Sequence, residues 1–256
     1  MKIIIIGSGN VATHLSAAML KAGHQIAGVC GRNFEHTAEL ARKLNAQPFG
    51  NINTLPTDAD IYLISISDDS IANVVSQMPN VEGIVAHTAG SVPMSVLARF
   101  SRYGVMYPLQ SFSKNRAIDI GRVPFCIEGC DSQTAGTLTA LAHTLSDNVR
   151  PMTTEQRAQL HIAAVFASNF VNNMYAEAET ILKNSNIPFD IMQPLIAETA
   201  AKAAELGPVA AQTGPARRGD TKVLNRQLQM LPDAELQKLY SFVSERIQCR
   251  YKANGK

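Results

Sequence analysis

The chain has 256 residues, of which 46% are hydrophobic and 17% charged, and its formal net charge is +2. This length and composition suit a globular protein with a sizeable core, and the basic block typical of a nucleic-acid-binding protein is missing. No stretch reaches the roughly 18 consecutive apolar residues that a membrane span needs, and the N-terminal apolar run is too short for a signal peptide, so we expect a cytoplasmic protein that binds neither nucleic acid nor membrane. The cysteines show neither zinc-site spacing nor the density of a disulfide scaffold, which predicts free thiols and no metal site. They are Cys30, Cys126, Cys130 and Cys249.

The first 150 residues alternate short apolar runs with amphipathic stretches. Six runs rich in Ile and Val end in Gly, Ser or Pro and predict strands: KIIIIG, HQIAGVCG, ADIYLISIS, GIVAHTAG, YGVMYPL and VPFCIEG. Helices are predicted over residues 11–22 and 34–44, ended by Gly23 and Asn45. Continuous apolar strands separated by helices predict an α/β domain, residues 1–150, with a parallel sheet covered on both faces.

The strand signals stop after Pro151. One long helical pattern runs from Thr153 to about Ser185, and further helices are predicted near residues 190–206 and 233–250. The Gly/Pro/Arg-rich residues 207–220 are predicted to be a loose connection. Residues 151–256 therefore form a predicted all-helical domain.

The sequence GSGNVA follows the first strand and opens the first helix, which is the context required of a dinucleotide-binding fingerprint. In that interpretation Gly7 permits a tight turn, Gly9 lets a diphosphate approach the backbone, and Ala12 allows close helix packing. The amide groups at the helix N-terminus then hold the anion. The predicted cofactor-binding residues here are Gly7, Ser8, Gly9, Asn10, Val11 and Ala12. The alternative is a tight turn that binds nothing.

The end of the second strand predicts which dinucleotide binds. An NAD-dependent enzyme would place an acidic residue there, whereas this chain has CGRN, with Glu35 as the nearest acid. Arg32 and Asn33 can donate to a 2′-phosphate, which favours NADP. The alternative is that Arg32 is a solvated loop cation.

Polar residues at later strand ends are expected to face the same crevice, because ligands sit over the carboxyl ends of parallel strands. Ser65 and Ser67 are predicted to contact the cofactor, and residues 107–112 are expected nearby. The segment AHTAGS adds His87, Thr88 and Ser91. His87 is a candidate catalytic residue, although a histidine at the end of a buried strand is also compatible with a purely structural role.

Four polar residues of the long helical pattern share one face if each residue turns by 100° from His161. They are His161, Ser168, Asn169 and Asn172, and their flanks are apolar. Polar groups on so apolar a helix need partners, which predicts a stripe facing the substrate; a structural network or a dimer interface would also satisfy them.

The segments GSGNVATHL, AHTAGS, YPLQSF, HIAAVFASNFVNN and TGPARRGD occur in this order across nearly the whole chain. In these motifs the chain resembles a bacterial family of oxidoreductases that join a Rossmann-like NAD(P)-binding domain to a helical domain of unknown function. The family is similar to pyrroline-5-carboxylate reductase, deazaflavin (coenzyme F-420)-dependent NADP oxidoreductases and β-hydroxyacid dehydrogenases. The resemblance implies a helical domain of the 6-phosphogluconate dehydrogenase type, a homodimer that shares these domains, and no particular substrate.

The β-hydroxyacid dehydrogenases carry a catalytic lysine with an asparagine four residues later, whereas here His161 is followed at that interval by Val165. Lysine chemistry therefore does not transfer to this chain. An imidazole titrates near neutrality, so His161 is our candidate proton donor and Asn169 would orient the reacting group.

The segment TGPARRGD is predicted to contact the substrate, with Ser168 and Asn172 on the long helix. Its contacts would come from Thr213, Arg217 and Arg218; the alternative is a polar turn between helices with a salt bridge from Asp220. The first hypothesis for function is an NADPH-dependent reductase of a small C=O or C=N substrate. The alternatives are a sensor that binds NADP(H) or a metabolite without turnover, and an enzyme acting on a deazaflavin coenzyme.

Overall fold

The computed structural model describes residues 1–252. The chain divides into two compact units, Met1–Ser168 and Asn169–Lys256. The first unit contains one eight-stranded sheet, and the second is helical.

The sheet has the strand order β3-β2-β1-β4-β5-β6-β7-β8. Its strands are β1 (Lys2–Ile6), β2 (Gln25–Cys30), β3 (Gln47–Phe49), β4 (Ile61–Ile64), β5 (Ile84–His87), β6 (Tyr103–Pro108), β7 (Phe125–Gly129) and β8 (Val149–Pro151). Neighbouring strands are parallel except for β6 and β7, which are antiparallel. The predicted α/β class is confirmed, and the antiparallel pair corrects the expectation of an all-parallel sheet.

Two strands were not predicted because they are short and contain proline. Strands β3 and β8 have three residues each, with Pro48 in the first and Pro151 in the second. Proline supplies no N–H to a sheet and is found mainly at edges, which is where both strands lie. The residue that signalled the end of the strand pattern is thus the last residue of an edge strand.

Five helices belong to the first unit: α1 (Asn10–Lys21), α2 (Phe34–Leu44), α3 (Asp68–Gln77), α4 (Ser132–His143) and α5 (Thr154–Ala164). The two helices predicted between the early strands are confirmed to within one residue. Helix α2 ends at Asn45, whose φ of 51° is the left-handed conformation that asparagine tolerates.

The four isoleucines of β1 explain how the sheet is buried. Ile3 and Ile5 pack in the apolar cluster on one face, and Ile4 and Ile6 in the cluster on the other. Since successive strand residues point to opposite faces, a continuous apolar run is what a central strand covered on both sides requires.

The single helix predicted from residue 153 to 185 is interrupted. Helix α5 is followed by a π-helical segment, Val165–Phe170, before α6 (Val171–Lys183) begins. A π-helix bonds residue i to i+5 and therefore holds more residues in each turn than an α-helix. The count of 100° per residue from His161 is consequently wrong beyond residue 164.

Within the second unit, α6 is followed by α7 (Gln193–Leu206), α8 (Pro208–Ala211), α9 (Pro215–Arg218), α10 (Thr221–Gln229) and α11 (Ala234–Lys252). Residues 207–220, predicted to be loose, thus contain two short helices. No helix in the described part of the chain is long and apolar enough to cross a membrane.

Candidate functional site

The first part of the candidate site lies where the order of strands reverses. From β1 the chain continues outward to β2 and β3, and then returns to place β4 on the other side of β1. Backbone hydrogen bonds hold these strand ends together, from Gly7 N to Cys30 O (2.7 Å) and from Ser65 N to Ile6 O (2.7 Å). In open α/β sheets this switch point is where ligands bind.

The two glycines of the fingerprint, Gly7 and Gly9, are explained by different physical causes. Gly7 has a φ of +126°, and a Cβ built on it would lie 2.2 Å from the carbonyl oxygen of Ser65, so only glycine fits this position. A Cβ on Gly9 would meet nothing within 4 Å. Gly9 is the N-cap of α1 and provides no side-chain cap, and the first turn of α1 holds no acidic residue. The open space and uncapped amides therefore fit a bound diphosphate.

The other fingerprint residues support this turn. Ala12 is fully buried in the core. The Asn10 side-chain amide donates to Phe112 O at 2.9 Å, so this side chain holds the loop after β6. Phe112 was expected near the crevice: its carbonyl contacts Asn10 of the fingerprint, while its side chain is 8% exposed and packs in the core. Ser8 and Val11 are half-buried.

The loop after β2 places Arg32 beside the turn. A Cβ on Gly31 would lie 2.6 Å from Thr37 Oγ1 and 3.4 Å from Ser8 Oγ, so the two loops are in close approach. Arg32 is exposed, and its guanidinium has no hydrogen bond or ion pair within residues 1–252. Asn33 Oδ1 accepts from His36 N at 2.9 Å and so caps α2. Asn33 therefore has a structural role that the sequence analysis did not assign to it.

The serines after β4 differ in exposure. Ser65 is 6% exposed, and Thr88 Oγ1 lies 3.4 Å from its Oγ. Ser67 is exposed, and its Oγ lies 2.9 Å from Ser70 Oγ. Of the two, Ser67 offers the side chain that a ligand could reach without rearrangement.

His87 belongs to the core. It is 0% exposed, its Nδ1 accepts from Ala89 N at 3.2 Å, and its Nε2 has no partner within the described residues. Burial, followed by the nearby Arg157 guanidinium, lowers the pKa of His87 to about 4. The ring is therefore neutral near pH 7 and buried, which favours the structural alternative for His87, and its catalytic role stays a prediction.

The second part of the site is formed by His161 of α5, Tyr107 of β6 and Gly90 after β5. His161 Nδ1 lies 3.1 Å from Tyr107 Oη, and the two rings meet edge to face with centroids 6.0 Å apart. A Cβ on Gly90 would lie 2.5 Å from His161 Nδ1 and 2.9 Å from Tyr107 Cζ. Burial, the largest cause, raises the pKa of Tyr107 to about 12. The protonated Tyr107 hydroxyl thus contacts Nδ1 of the half-buried His161 ring. Both rings pack against the backbone at Gly90, which has no side chain.

The remaining predicted residues of the long helix are exposed. Ser168 and Asn169 lie in the π-helical segment, and Asn172 lies in α6. Their common face rested on α-helical geometry, so their role in substrate binding stays a prediction.

Within the second unit, the TGPARRGD segment is partly committed to structure. The Arg217 side chain donates to Gln212 O, and its guanidinium lies 5.2 Å from the ring centroid of Tyr251. Asp220 Oδ1 accepts from Val223 N at 3.3 Å, so Asp220 caps α10. Thr213 and Arg218 are exposed, and their predicted contact with substrate stays a prediction.

No individual role was predicted from the sequence for Gly90, Tyr107 or Arg157. Gly90 and Tyr107 stand in segments whose position at strand ends was recognised, but nothing local shows that a ring from residue 161 lies on them. Arg157 is one helical turn before His161, and that spacing was the available signal.

Two protein families match parts of the chain. Residues 2–90 match the family described as NADP oxidoreductase coenzyme F420-dependent, and residues 123–247 match a domain of unknown function, DUF2520. No functionally curated protein matches the chain in sequence.

Solved structures extend the comparison to the whole chain. A structure described as a "putative NADP oxidoreductase" from Bacteroides fragilis is 42% identical, with 96% of this chain and 97% of that chain covered and a TM-score of 0.89. A reductive aminase from Aspergillus terreus, in complex with NADPH and ethyl-5-oxohexanoate, is 15% identical over 96% of this chain and 92% of its own, with a TM-score of 0.74. An imine reductase from Myxococcus stipitatus, in complex with NADP⁺, is 14% identical over 99% and 93%, with a TM-score of 0.65.

The fold, the switch-point turn and the similarity to the Bacteroides protein define a Rossmann-like oxidoreductase class with a helical C-terminal part. Within that class, the chain belongs to the NADP oxidoreductase family whose C-terminal part is the domain of unknown function. The two reductases at 14 to 15% identity share its fold.

Proposed function

We propose that this protein is an NADPH-dependent reductase of a small C=O or C=N substrate. The observation that carries the proposal is the open, uncapped start of α1 at Gly9, where the backbone amides can hold a diphosphate. The related reductive aminase and imine reductase structures hold NADPH or NADP⁺, which supports the same cofactor here.

When bound, the nicotinamide supplies the hydride. The chain holds and orients it. The Gly7 turn lets the diphosphate lie on the amides, and the Arg32 guanidinium, exposed and unpaired among residues 1–252, is available to a 2′-phosphate. The predicted preference for NADP over NAD thus depends on Arg32.

His161 is the proposed proton donor. Its Nδ1 is engaged by Tyr107, so Nε2 is the nitrogen available to a substrate. As a hydride reaches the substrate carbon, the imidazolium form of His161 gives its Nε2 proton to the oxygen or nitrogen. The ring becomes a neutral imidazole that keeps its Nδ1 proton toward Tyr107 Oη, and solvent then restores the Nε2 proton. Tyr107 keeps its own proton because burial raises its pKa to about 12, so its part is to orient the imidazole.

The substrate contacts predicted from residue 168 onward belong to the same proposal. We assign the orienting role to Asn169, and binding of polar substrate groups to Ser168, Asn172, Thr213, Arg217 and Arg218. These are the residue types that recognise carboxylate or carbonyl groups. Residues with a structural role already, above all Arg217, would bind through the donors that remain.

A homodimer formed through the helical part completes the proposal, as the family resemblance implies. Among the described residues of the second unit, the buried hydrophobic ones are Ala216, Leu224 and Leu236, while Met230 and Phe242 are 77% and 64% exposed. A domain with so few buried side chains gains its apolar burial from a partner. Sedimentation at micromolar concentration tests this, and a monomer would contradict it. A cytosolic location, expected from the sequence, is part of the same proposal.

The cofactor assignment is tested by fluorescence titration with NADPH and NADH. We expect wild type to prefer NADPH, and Arg32→Glu to weaken NADPH binding about tenfold to a hundredfold, because a hydrogen bond to a charged group contributes roughly 1.5 to 3 kcal/mol. Arg122→Glu is the matched control, since this side chain is 90% exposed and belongs to the segment before β7. Equal, weak binding of both cofactors by wild type would overturn the assignment.

The reaction is tested with NADPH and a panel of small cyclic imines, ketones, and ketones with an amine. We expect His161→Gln to lower kcat by about 10² to 10⁴ with NADPH affinity retained. NADPH binding without any turnover would favour the sensor alternative. Reduction of a deazaflavin coenzyme is the second enzymatic candidate and joins the panel, because coenzyme F420 stands in the description of the family that residues 2–90 match.

A further inference from the structure

Arg157 is the largest fully buried side chain of the described residues, at 1% exposure. Its guanidinium donates to a Glu128 carboxylate oxygen through Nη1, and to Val92 O (2.7 Å) and Thr154 Oγ1 (3.3 Å) through Nη2. Its Nε has no partner within residues 1–252. A buried ion pair is a poor source of stability, because desolvation offsets much of the attraction between the charges. The arrangement therefore calls for another explanation, and its partners suggest one.

Glu128 binds helix α5 at two points. Besides its ion pair with Arg157, it accepts from Thr154 N (2.9 Å) and from the Thr154 hydroxyl (2.9 Å). Thr154 is the first residue of α5, where free amides favour an anion. The carboxylate of β7 thus fixes the start of the helix, and Arg157 fixes its next turn.

Arg157 also holds the loop on which His161 rests. Val92, whose carbonyl it binds, stands two residues after Gly90, and a Cβ on Gly90 would lie 2.5 Å from His161 Nδ1. Residues 157 and 161 are four apart on α5, so their side chains share one face of the helix. The Arg157 guanidinium therefore connects helix α5 to strand β7, through Glu128, and to the loop after β5, through Val92. Strand β7 pairs with β6, which carries Tyr107, so these contacts hold α5 where His161 meets Tyr107.

We propose that Arg157, held by Glu128, is a positioning residue that sets the His161 imidazole against Tyr107 and Gly90. This inference rests on the proposed function for its catalytic meaning, whereas the positioning itself is a property of the free protein. Since a displacement of about 1 Å can cost a hundredfold in rate, loosening this anchor should reduce catalysis without direct contact with substrate.

The test reads the histidine ring directly. Imidazole ¹H–¹⁵N spectra are recorded for wild type, Tyr107→Phe and Arg157→Lys, and the His161 resonances are assigned by their loss in His161→Gln. Tyr107→Phe defines the shift that results when the ring loses its hydroxyl partner. We expect Arg157→Lys to move the His161 Nδ1 resonance in the same direction, since lysine cannot bind Glu128 and Val92 O with a planar fork. Arg150→Lys, an exposed arginine of β8, should leave the resonance in place.

A folded Arg157→Lys protein with the wild-type His161 resonance would overturn the proposal. If that variant does not fold, Glu128→Gln replaces it, because glutamine keeps the shape and an oxygen for Thr154 while removing the charge that binds Arg157. Failure of both variants to fold would also overturn the proposal and assign the pair to stability. These spectra need neither NADPH nor substrate, so absence of turnover would refute the proposed function and leave this result intact.

Discussion

Gly90 lies directly under the His161 ring, so close that a Cβ at residue 90 would be 2.5 Å from Nδ1. The same atom would be 2.9 Å from Tyr107 Cζ. The rings of His161 and Tyr107 can pack against the backbone at residue 90 because glycine has no side chain. A glycine without positive φ is thus required here for space alone.

Gly90→Ala is expected to push His161 away from Tyr107. The added methyl group has no room, and overpacking of this kind costs about 1 to 3 kcal/mol in the free energy of unfolding. We expect reductase kcat to fall at least about tenfold while NADPH affinity stays unchanged, measured by steady-state kinetics and titration. The control is Gly136→Ala in α4, where a Cβ would meet nothing within 4 Å. This change should stabilise the protein by roughly 0.5 to 1 kcal/mol. Wild-type kcat in Gly90→Ala would contradict the assigned site.

Gly7→Ala and Gly9→Ala are expected to separate folding from binding. At Gly7 the positive φ and the Ser65 carbonyl both oppose a side chain, so we expect a loss of stability of about 1 to 3 kcal/mol in urea unfolding. At Gly9 a methyl group has open space, so stability should stay within about 0.5 kcal/mol of wild type while NADPH affinity falls. Unchanged NADPH affinity in Gly9→Ala would show that no diphosphate approaches this backbone.

Asn33→Asp is expected to distinguish the helix cap from the cofactor contact. Aspartate caps a helix as well as asparagine does, so the stability conferred by the bond to His36 N should be kept. The new carboxylate would repel a 2′-phosphate, so the preference for NADPH over NADH should fall by about tenfold. Asn33→Ala, in contrast, removes the helix cap, so we expect a loss of about 1 kcal/mol in the free energy of unfolding. An unaltered cofactor preference in Asn33→Asp would place the 2′-phosphate elsewhere.

His87 is expected to make stability depend on pH. Its pKa is about 4 in the folded protein and about 6.5 in the unfolded chain, so between these values the unfolded chain binds more protons. The contribution of the neutral His87 ring to the free energy of unfolding is fully present above about pH 6.5 and is lost as pH falls toward 4. It amounts to at most about 3 kcal/mol. Urea unfolding at pH 7.5 and 5.0 should show a larger loss for wild type than for His87→Gln. Equal losses in the two proteins would mean that His87 titrates normally.

The sequence predicted the α/β class of the first unit because the signals for its central strands and first helices are local. Four isoleucines specify a strand buried on both faces, and glycines at 7 and 9 specify the turn that follows. The fingerprint and Arg32 indicated NADP as the cofactor, and the family to which the chain belongs is described as NADP oxidoreductase. The π-helical segment, Val165–Phe170, was not predictable, since its residues are also compatible with an α-helix. Their spacing does not indicate the wider turn.

The sequence by itself thus predicted the central strands, the turn after β1 and a dinucleotide cofactor, because each of these signals lies within a few neighbouring residues. Only the tertiary structure decided which polar groups meet. It buried His87, turned Asn33 into a cap, and brought His161 to Tyr107 across 54 residues of chain. Such contacts arise when separate strand ends and a helix pack together, and neither periodicity nor composition records which side chains will face each other.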